Sequence, residues 1–565
     1  MFCAYTLHYA IFNHFSPKFG YACPLPFGPE LSATAPERSR VFAFRAAEEN
    51  ASLKGDFPMK THPGPRRPLM PPFRLGAIAA SAFAAFVFLS TPRLCVAEIP
   101  AATRDPGFRL VDLDVGEGAE IELPDGSTVE VAVVSLHESR DTVRASIREA
   151  RVEVTVDGET VELFSSHYHL PRAVGSVRID CPVTKGHLDG VNGNPWGIEK
   201  AVRLRLWPVD SPLTEPGTFA YPLGQAWFAS ATSMANEPID AGARSGYVYH
   251  YDLDFGGAEK LTEVFAATDG LVVSSANQSL PGYEDSPVRQ RYDVVYLLDD
   301  RGFYYRYSHF HRIHPEVRMG QRVRMGQQLG ILGKEGASGG WSHLHFGLWM
   351  RMPSGLWGSL DAYPLVWEAY LRDREPSVLA VARPGHLLRA GETAVLDGSK
   401  SWSSAGGSLR HRWTFGDGSS AEGEKVERLY AKPGRYSEIL QVEDEQGNVA
   451  YDFVRVLVVD PVDLDAFPPN VHAAFSPTEG LRAGEPVTVL VRSFRTAEGR
   501  ERIDFGDGSE PVHVRSASDT GNLDPDGYAS VEHRYEKPGD YLVRIDRENE
   551  RGWPAFTHLH IRVLP

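Results

Sequence analysis

The sequence is short of cysteine, of positive charge and of long apolar runs, and each shortage removes a class of protein. Four cysteines occur in 565 residues: Cys3, Cys23, Cys95 and Cys181. A cut after Ala97 leaves Cys181 alone, so no internal disulfide framework staples the mature chain, which depends on packing, metal or bound ions. Lys and Arg number 58 against 74 Asp and Glu, a formal net charge of -16, which argues against nucleic acid or another polyanion as partner. Ala- and Leu-rich helical stretches are scarce past the N-terminus. The 53 Gly and 41 Pro, with frequent Val, Tyr and Thr, favour β-rich globular units instead.

One apolar run stands out. Leu75 to Thr91, "LGAIAASAFAAFVFLST", follows Arg66, Arg67 and Arg74 and leads into "PRLCVAEIP", where Cys95 and Ala97 supply small residues for a cleavage site. Residues 1–97 therefore read as an N-terminal extension ending in a secretory signal, for which Met59 or Met70 is a more natural start than Met1. The run is at the short edge of what spans a bilayer, so the alternative is an uncleaved anchor. Nothing comparable follows it. The expectation is an exported protein, periplasmic, at the cell surface or extracellular, that meets a membrane only if the signal stays uncleaved.

A chain of this length holds several domains of about 100 to 200 residues each. Residues 98–215 read as a β-rich domain of unknown role, with alternating runs such as "RVEVTVDGETVEL" and "AVRLRLWPV". The first of these reverses at Asp157 and Gly158, which suit a two-residue hairpin. The turn-rich stretches "SPLTEPGT" and "NEPIDAGARSG" lead into a unit spanning 216–372. There the strands "DVVYLLD", "FYYRYSHF", "QLGILGKEG" and "HLHFGLWM" alternate with glycine turns, and "LDAYPLVWEAYLRD" predicts a closing helix. The expected fold class is multidomain and all-β dominated.

Beyond "REPSVLAVARPG" an internal repeat appears. "HRWTFGDGSS" is followed by "RLYAKPGRYSEILQVED", and "RIDFGDGSEP" by "HRYEKPGDYLVRID". Phe415 and Phe505 are 90 residues apart but Tyr430 and Tyr535 are 105 apart, so the second copy carries about fifteen extra loop residues around "SDTGNLDPDG". Gly416, Asp417 and Gly418 form a tight turn after an aromatic strand, and Pro433-Gly434 with Tyr436 opens the paired strand. This FGDG plus Y-x-K-P-G-x-Y pattern resembles polycystic-kidney-disease (PKD) domains, which implies two immunoglobulin-like β-sandwiches at about 376–460 and 470–563. The resemblance implies spacing or adhesion, with a surface glycan or protein as ligand.

His-x-His occurs four times, at His167/His169, His309/His311, His343/His345 and His558/His560, so the triplet alone decides nothing. His558 and His560 fall in the last strand of the second repeat on one sheet face, a structural position. His167 and His169, beside Pro171, are expected in surface strand or loop. The other two pairs lie in the 216–372 unit. Hydrolysis by zinc needs three nitrogen or carboxylate ligands, an open fourth position and groups to move protons. In the extended "YVYHYDLDF", His250, Asp252 and Asp254 share a face, and periodicity does not choose between the aspartates. His343 and His345 are face-sharing neighbours in the same way. Two histidines and one aspartate around a zinc ion leave about one net positive charge, enough to acidify a bound water.

The order H-x-x-x-D, A-x-x-D-G-x-V, Y-x-H, G-Q-x-x-G-x-x-G and H-L-H-F resembles the lysostaphin-type zinc metalloendopeptidases over about 100 to 125 residues. The resemblance implies His250, Asp254 and His345 as ligands of one Zn2+, and His309 and His343 as the catalytic pair. One of that pair acts as general base and the other steadies the oxyanion or leaving amine. His311 and His314 fall outside the motif, at a loop or rim. Three departures from the family pattern stand out. Asp252 replaces a usual glycine and either competes for the metal or tunes it; "GGAEKLTEVFAA" replaces the usual loop after Asp254; and Trp341 stands beside the pair, as cleft wall or core aromatic.

The expected function is an exported zinc endopeptidase for peptidoglycan stems or cross-bridges, a substrate that follows from resemblance and export. The alternatives are a secreted protease for glycine-rich proteins and a non-catalytic adhesion or hydrolase-regulating scaffold. Residues 98–215 are a candidate latency element covering the cleft.

Overall fold

The computed structural model describes residues 99–565 other than 235, 241–246, 497–498 and 518–526. The signal-like run, the three cysteines ahead of Cys181 and most of the "SDTGNLDPDG" insertion lie outside the described residues. No helix among the described residues is long and apolar enough to cross a membrane.

Alternation builds the N-terminal unit. In Thr128–Arg140 the buried positions Val129, Val131 and Val133 alternate with exposed or half-buried ones, which puts the valines on one sheet face. Two four-stranded antiparallel sheets result. One orders Arg109–Leu113, Val202–Pro208, Val177–Thr184 and Arg172–Val174; the other orders Gly118–Glu122, Thr128–Arg140, Ile147–Val156 and Glu159–Phe164. They enclose Val131, Val152, Val154, Ile179, Leu204 and the free thiol of Cys181. The hairpin at Asp157 and Gly158 forms with both residues at positive φ, 48° and 83°.

The other face of "AVRLRLWPV" carries Arg203 and Arg205, both fully buried. Arg203 forks onto Asp112 with two bonds of 2.7 Å, and Arg205 pairs with Asp180 while donating from Nη1 to the Asp361 carbonyl at 3.2 Å. A guanidinium survives burial only with such partners; both carboxylates come from residues 98–215, and the Arg205 bond to the Asp361 carbonyl reaches the next domain. His167 is not at the surface as expected. The loop Ser166 to Tyr168 runs at positive φ and turns the ring inward, where Nε2 lies 2.7 Å from the Asn236 carbonyl oxygen. A backbone partner is what makes that burial tolerable. His169 is half-buried and stacks on Phe164.

The central unit is built on a nine-stranded sheet. Its main path runs Gln278–Ser279, Gly270–Ser275, Val294–Leu298, Tyr304–Ser308, His343–Arg351, Leu253–Gly256 and Thr232–Ser233. Trp357–Leu360 pairs with His343–Arg351 off that path. A smaller sheet sets Gln328–Leu332 between Glu263–Phe265 and Phe310–Ile313. The expected helix spans Tyr363–Arg374 with Pro364 in its first turn, where a missing N–H costs nothing. It buries Tyr363, Trp367 and Tyr370 around Trp227.

Each repeat is a two-layer β unit, one around Trp413, Leu440 and Val456, the other around Phe505, Tyr535 and Ile545. In both FGDG turns the aspartate accepts from the serine amide two residues on, Asp417 from Ser419 (3.0 Å) and Asp507 from Ser509 (2.9 Å). A parallel bridge between Arg435 and Ala555 merges one sheet from each repeat.

Buried Glu438 in the first repeat accepts from the Gly416 amide (2.6 Å) and the Tyr430 hydroxyl (3.1 Å), and burial raises its carboxyl to about 6. A pKa raised on folding adds stability that is fully present below the unfolded value and is lost as pH rises through the folded one. That window runs from 4.5 to about 6, and the loss is at most about 2 kcal/mol. Glu438→Gln keeps one acceptor and one donor, so denaturation should find it more stable than the parent by about 1 to 2 kcal/mol at pH 7, with the gap closing by pH 4.5. A gap that does not change with pH would rule out Glu438 as the group responsible.

Candidate metal centre

The site is a product of strand order. His343–Arg351 lies between Leu253–Gly256 and Tyr304–Ser308, in a register that sets Asp254 and Ser308 on either side of His345. Leu344, Phe346 and Leu348 alternate into a core shared with Phe255, Tyr305 and Tyr307, which turns His343 and His345 to the opposite face. His250 arrives from the end of Tyr247–Tyr249, and its ring is 5.2 Å from that of His345.

Asp254 is the hub. Its Oδ1 is 2.8 Å from His345 Nδ1 and 3.2 Å from His250 Nε2, and its Oδ2 is 3.5 Å from His343 Nε2. One donor atom each from His250, Asp254 and His345 falls within 4.8 Å of the other two, and all three residues are buried. Two imidazoles and a carboxylate converging in a buried space match the donor set of a catalytic divalent ion, so these residues fit a metal.

Asp252 lies behind His345. Its Oδ2 accepts from His345 Nε2 at 2.9 Å and Ser359 Oγ donates to its Oδ1. With the ring proton held on Nε2, Nδ1 points its lone pair at the donor cluster. Asp252 is thereby placed to orient His345. Gly347 makes the space, since a Cβ there would lie 2.5 Å from Asp252 Oδ2.

The other two histidines complete the site. His309 follows Tyr304–Ser308 at φ 73°, a conformation costly for a non-glycine residue, and it sets the ring 4.6 Å from His343 and 6.2 Å from His345. His309 Nδ1 is 2.6 Å from the Glu335 carbonyl oxygen, and its amide donates to Asp293, itself bound by Arg291. His343 Nδ1 is 3.1 Å from the Trp341 carbonyl oxygen, and the Trp341 ring stacks on it at 3.8 Å. In both, a carbonyl oxygen faces Nδ1 and favours the Nδ1–H tautomer with Nε2 as the basic atom, Arg291 Nη2 lying farther from His309 Nδ1 at 3.3 Å.

Burial lowers both His309 and His343 below the ordinary imidazole value, the latter strongly, despite the opposing carboxylates of Asp293 and Asp254. Burial also presses on His250, but Asp254 outweighs it and raises that pKa. Asp254 runs against its own burial and sits well below the carboxylate range, because His250 and His343 face it. Neutral bases beside a fixed anion are suited to proton transfer next to a cation.

All five residues singled out in the sequence, His250, Asp254, His309, His343 and His345, are thus brought together. His311 and His314 stay outside, His311 exposed and 2.9 Å from Glu335. His558 is buried beside Ser437, and His560 is held by Asp540. Sequence reasoning missed Asp293, Arg291 and Ser359, which no motif marks. The N-terminal unit bonds to the backbone of Asn236, Ser359 and Asp361, on the side of Trp357–Leu360.

Metal titration separates the two aspartates. Asp254→Ala is expected to abolish binding of added Zn2+, whereas Asp252→Asn should weaken it by about 10- to 100-fold, as read by competition with a chromophoric chelator. If Asp252→Asn released the ion as completely, Asp252 would belong among the ligands.

Residues 248–354 match the family model described as peptidase family M23, and residues 375–458 the one described as PKD domain. Comparison with curated proteins finds no match. Among solved structures, the chain is similar to a Pseudomonas aeruginosa protein solved as a peptidase M23, at 17% identity over 46% of this chain and 90% of that one, with a TM-score of 0.17. It is similar to Helicobacter pylori Csd3 at 11% identity over 46% and 82%, TM-score 0.16. The CbhA fibronectin(III)-like modules of Clostridium thermocellum match at 16% identity over 33% and 93%, TM-score 0.13.

Proposed function

For a chain that carries a family M23 peptidase domain followed by a PKD domain, we propose an exported, zinc-dependent endopeptidase that cuts peptide bonds in bacterial peptidoglycan. The observation that carries this reading is the convergence of His250, Asp254 and His345 with the two neutral histidines, His309 and His343. The first three residues hold the ion. Once bound, a zinc ion supplies the Lewis acidity that polarises the scissile carbonyl and lowers the pKa of water. His309 and His343 present Nε2 to the same space, so one takes the proton of the attacking water and the other steadies the oxyanion or returns a proton to the leaving amine. Asp252 keeps the His345 lone pair aimed, and Asp293 with the Glu335 carbonyl does the same work for the His309 proton.

The five residues are nearly buried, and on this reading the substrate is a slim backbone of glycine and other small residues. Export rests on the apolar run at 75–91 and its cleavage-site pattern. The first repeat acts as a spacer or surface contact.

Mass spectrometry of the soluble products released from purified peptidoglycan tests the reading, with a glycine-rich protein as second substrate. New peptide termini should appear with Zn2+, vanish with chelator, and fall by roughly 100- to 10,000-fold in His309→Ala. Termini from the glycine-rich protein alone would move the substrate to secreted proteins. None from either, in a protein that binds Zn2+, would leave a binding scaffold.

A further inference from the structure

The segment that precedes the catalytic strand, "GKEGASGGWSH", is glycine-rich, with Gly336, Gly339 and Gly340 at φ 67°, 69° and 82°. Such a stretch loses more freedom on ordering than most loops do. It nevertheless has to hold two carbonyls, those of Glu335 and Trp341, on which the proton positions of His309 and His343 depend. Its first half is held from within its own domain, where Lys334 pairs with buried Glu259 and Ser338 bonds back to the Lys334 carbonyl.

Its second half is held from outside. Arg492, wholly buried, donates from Nη1 to the Gly340 carbonyl at 2.7 Å, and the Tyr528 hydroxyl accepts from the Ser342 amide at 2.8 Å. These two bonds bracket Trp341. The Tyr528 hydroxyl then donates to His472 Nδ1 (2.8 Å), whose Nε2 donates to Ser230 Oγ (3.1 Å), which in turn donates to the Ala473 carbonyl (2.6 Å). The chain of donors closes because burial holds His472 neutral, at about 3. The His472 ring also lies 5.2 Å from that of Trp341.

Arg492, Tyr528 and His472 all belong to the second repeat. The two copies share "RAGE" at 389–392 and 482–485, and Gly391 and Gly484 donate to the paired Tyr430 and Tyr535 carbonyls. By that register Ser399 and Gly423 occupy the positions of Arg492 and Tyr528, so the first copy has neither the guanidinium nor the phenol hydroxyl. The contacts with the glycine loop are therefore particular to the second copy and are not a general property of its fold.

We propose that the second repeat is the outer wall of the catalytic site, with Arg492 and Tyr528 as positioning residues that act on His343 through Trp341. By fixing the backbone on both sides of Trp341 they fix its carbonyl, which keeps the His343 proton on Nδ1, and its ring, which clamps the imidazole plane. The catalytic consequence rests on the reading of His343 as a proton-transfer group; the structural one does not.

The test uses the full chain, labelled with 15N-histidine and loaded with Zn2+, and its Tyr528→Phe, Trp341→Phe and Trp341→Leu variants. Long-range 1H–15N spectra report the tautomer of His343, assigned by the signal lost in His343→Gln. The parent should show one Nδ1–H tautomer. Tyr528→Phe should show a mixture, with unchanged zinc content and KM and a kcat lower by roughly 10- to 100-fold. Trp341→Phe, which keeps a stacked ring, should retain most of kcat, and Trp341→Leu should fall to the level of Tyr528→Phe. An unchanged tautomer in both Tyr528→Phe and Trp341→Leu overturns the proposal. An inactive parent would overturn the hydrolytic reading, while the spectra would still decide whether the wall positions His343. Unaltered kcat in both variants of an active parent would overturn its catalytic part.

Discussion

A carboxylate shut away from water stays ionised only where other groups replace its hydration shell, and Asp254 is in that position, with imidazoles from His250, His343 and His345 within 3.5 Å. Much of the central domain serves that one anion. The sheet register places His345 directly across from it, and Gly347 opens room for Asp252 behind the ring. Because the hub and its nearest partner sit on adjacent strands, their spacing is a property of the sheet and does not depend on loop conformation.

The same dependence on neighbours explains what could be read from the sequence. Period-two alternation placed His343 with His345, because face-sharing in a strand is local; His250 and Asp254 do not share one strand as expected, since a bend at Tyr251 and Asp252 separates Tyr247–Tyr249 from Leu253–Gly256. The choice between Asp252 and Asp254 was not local. It turns on Ser359 and Gly347, about a hundred residues further on, which build the niche that holds Asp252 behind His345. His167 was misplaced for a related reason: its polarity suggested the surface, but the Asn236 carbonyl that makes its burial tolerable comes from another domain. The FGDG and K-P-G-x-Y signatures showed both repeats, yet they record only turns and core aromatics. The positions that distinguish the second copy, Arg492 and Tyr528, fall where the shared pattern is silent.

Buried charge is also what joins the domains. Arg205, paired with Asp180, reaches the central domain through the Asp361 carbonyl, and in the first repeat Arg383 donates to the Thr232 carbonyl while Arg455 pairs with buried Glu237. Parting the first repeat from the central domain would take from the buried Glu237 carboxylate both Arg455 and the Gly385 amide, a cost above that of parting an ordinary polar interface. The repeats are therefore not beads on a flexible string, and a spacer role for the first copy has to be compatible with a fixed seat on its neighbour.

The site itself has a stiff half and a soft half. Asp254, His345 and Asp252 are held by paired strands and by each other. His309 sits in a left-handed backbone conformation, His343 is the first residue of its strand, and both take their proton positions from carbonyls in a glycine-rich loop. On the proposed reading the stiff half carries ligands, where a small displacement changes the affinity for an ion, and the soft half carries proton transfer, where the same displacement changes rate while binding is untouched. The same reading has changes behind His345 act through metal occupancy and changes around Trp341 through turnover. A fold that gives the second task to a loop needs an outside support for that loop, and the second repeat is the body in contact with it.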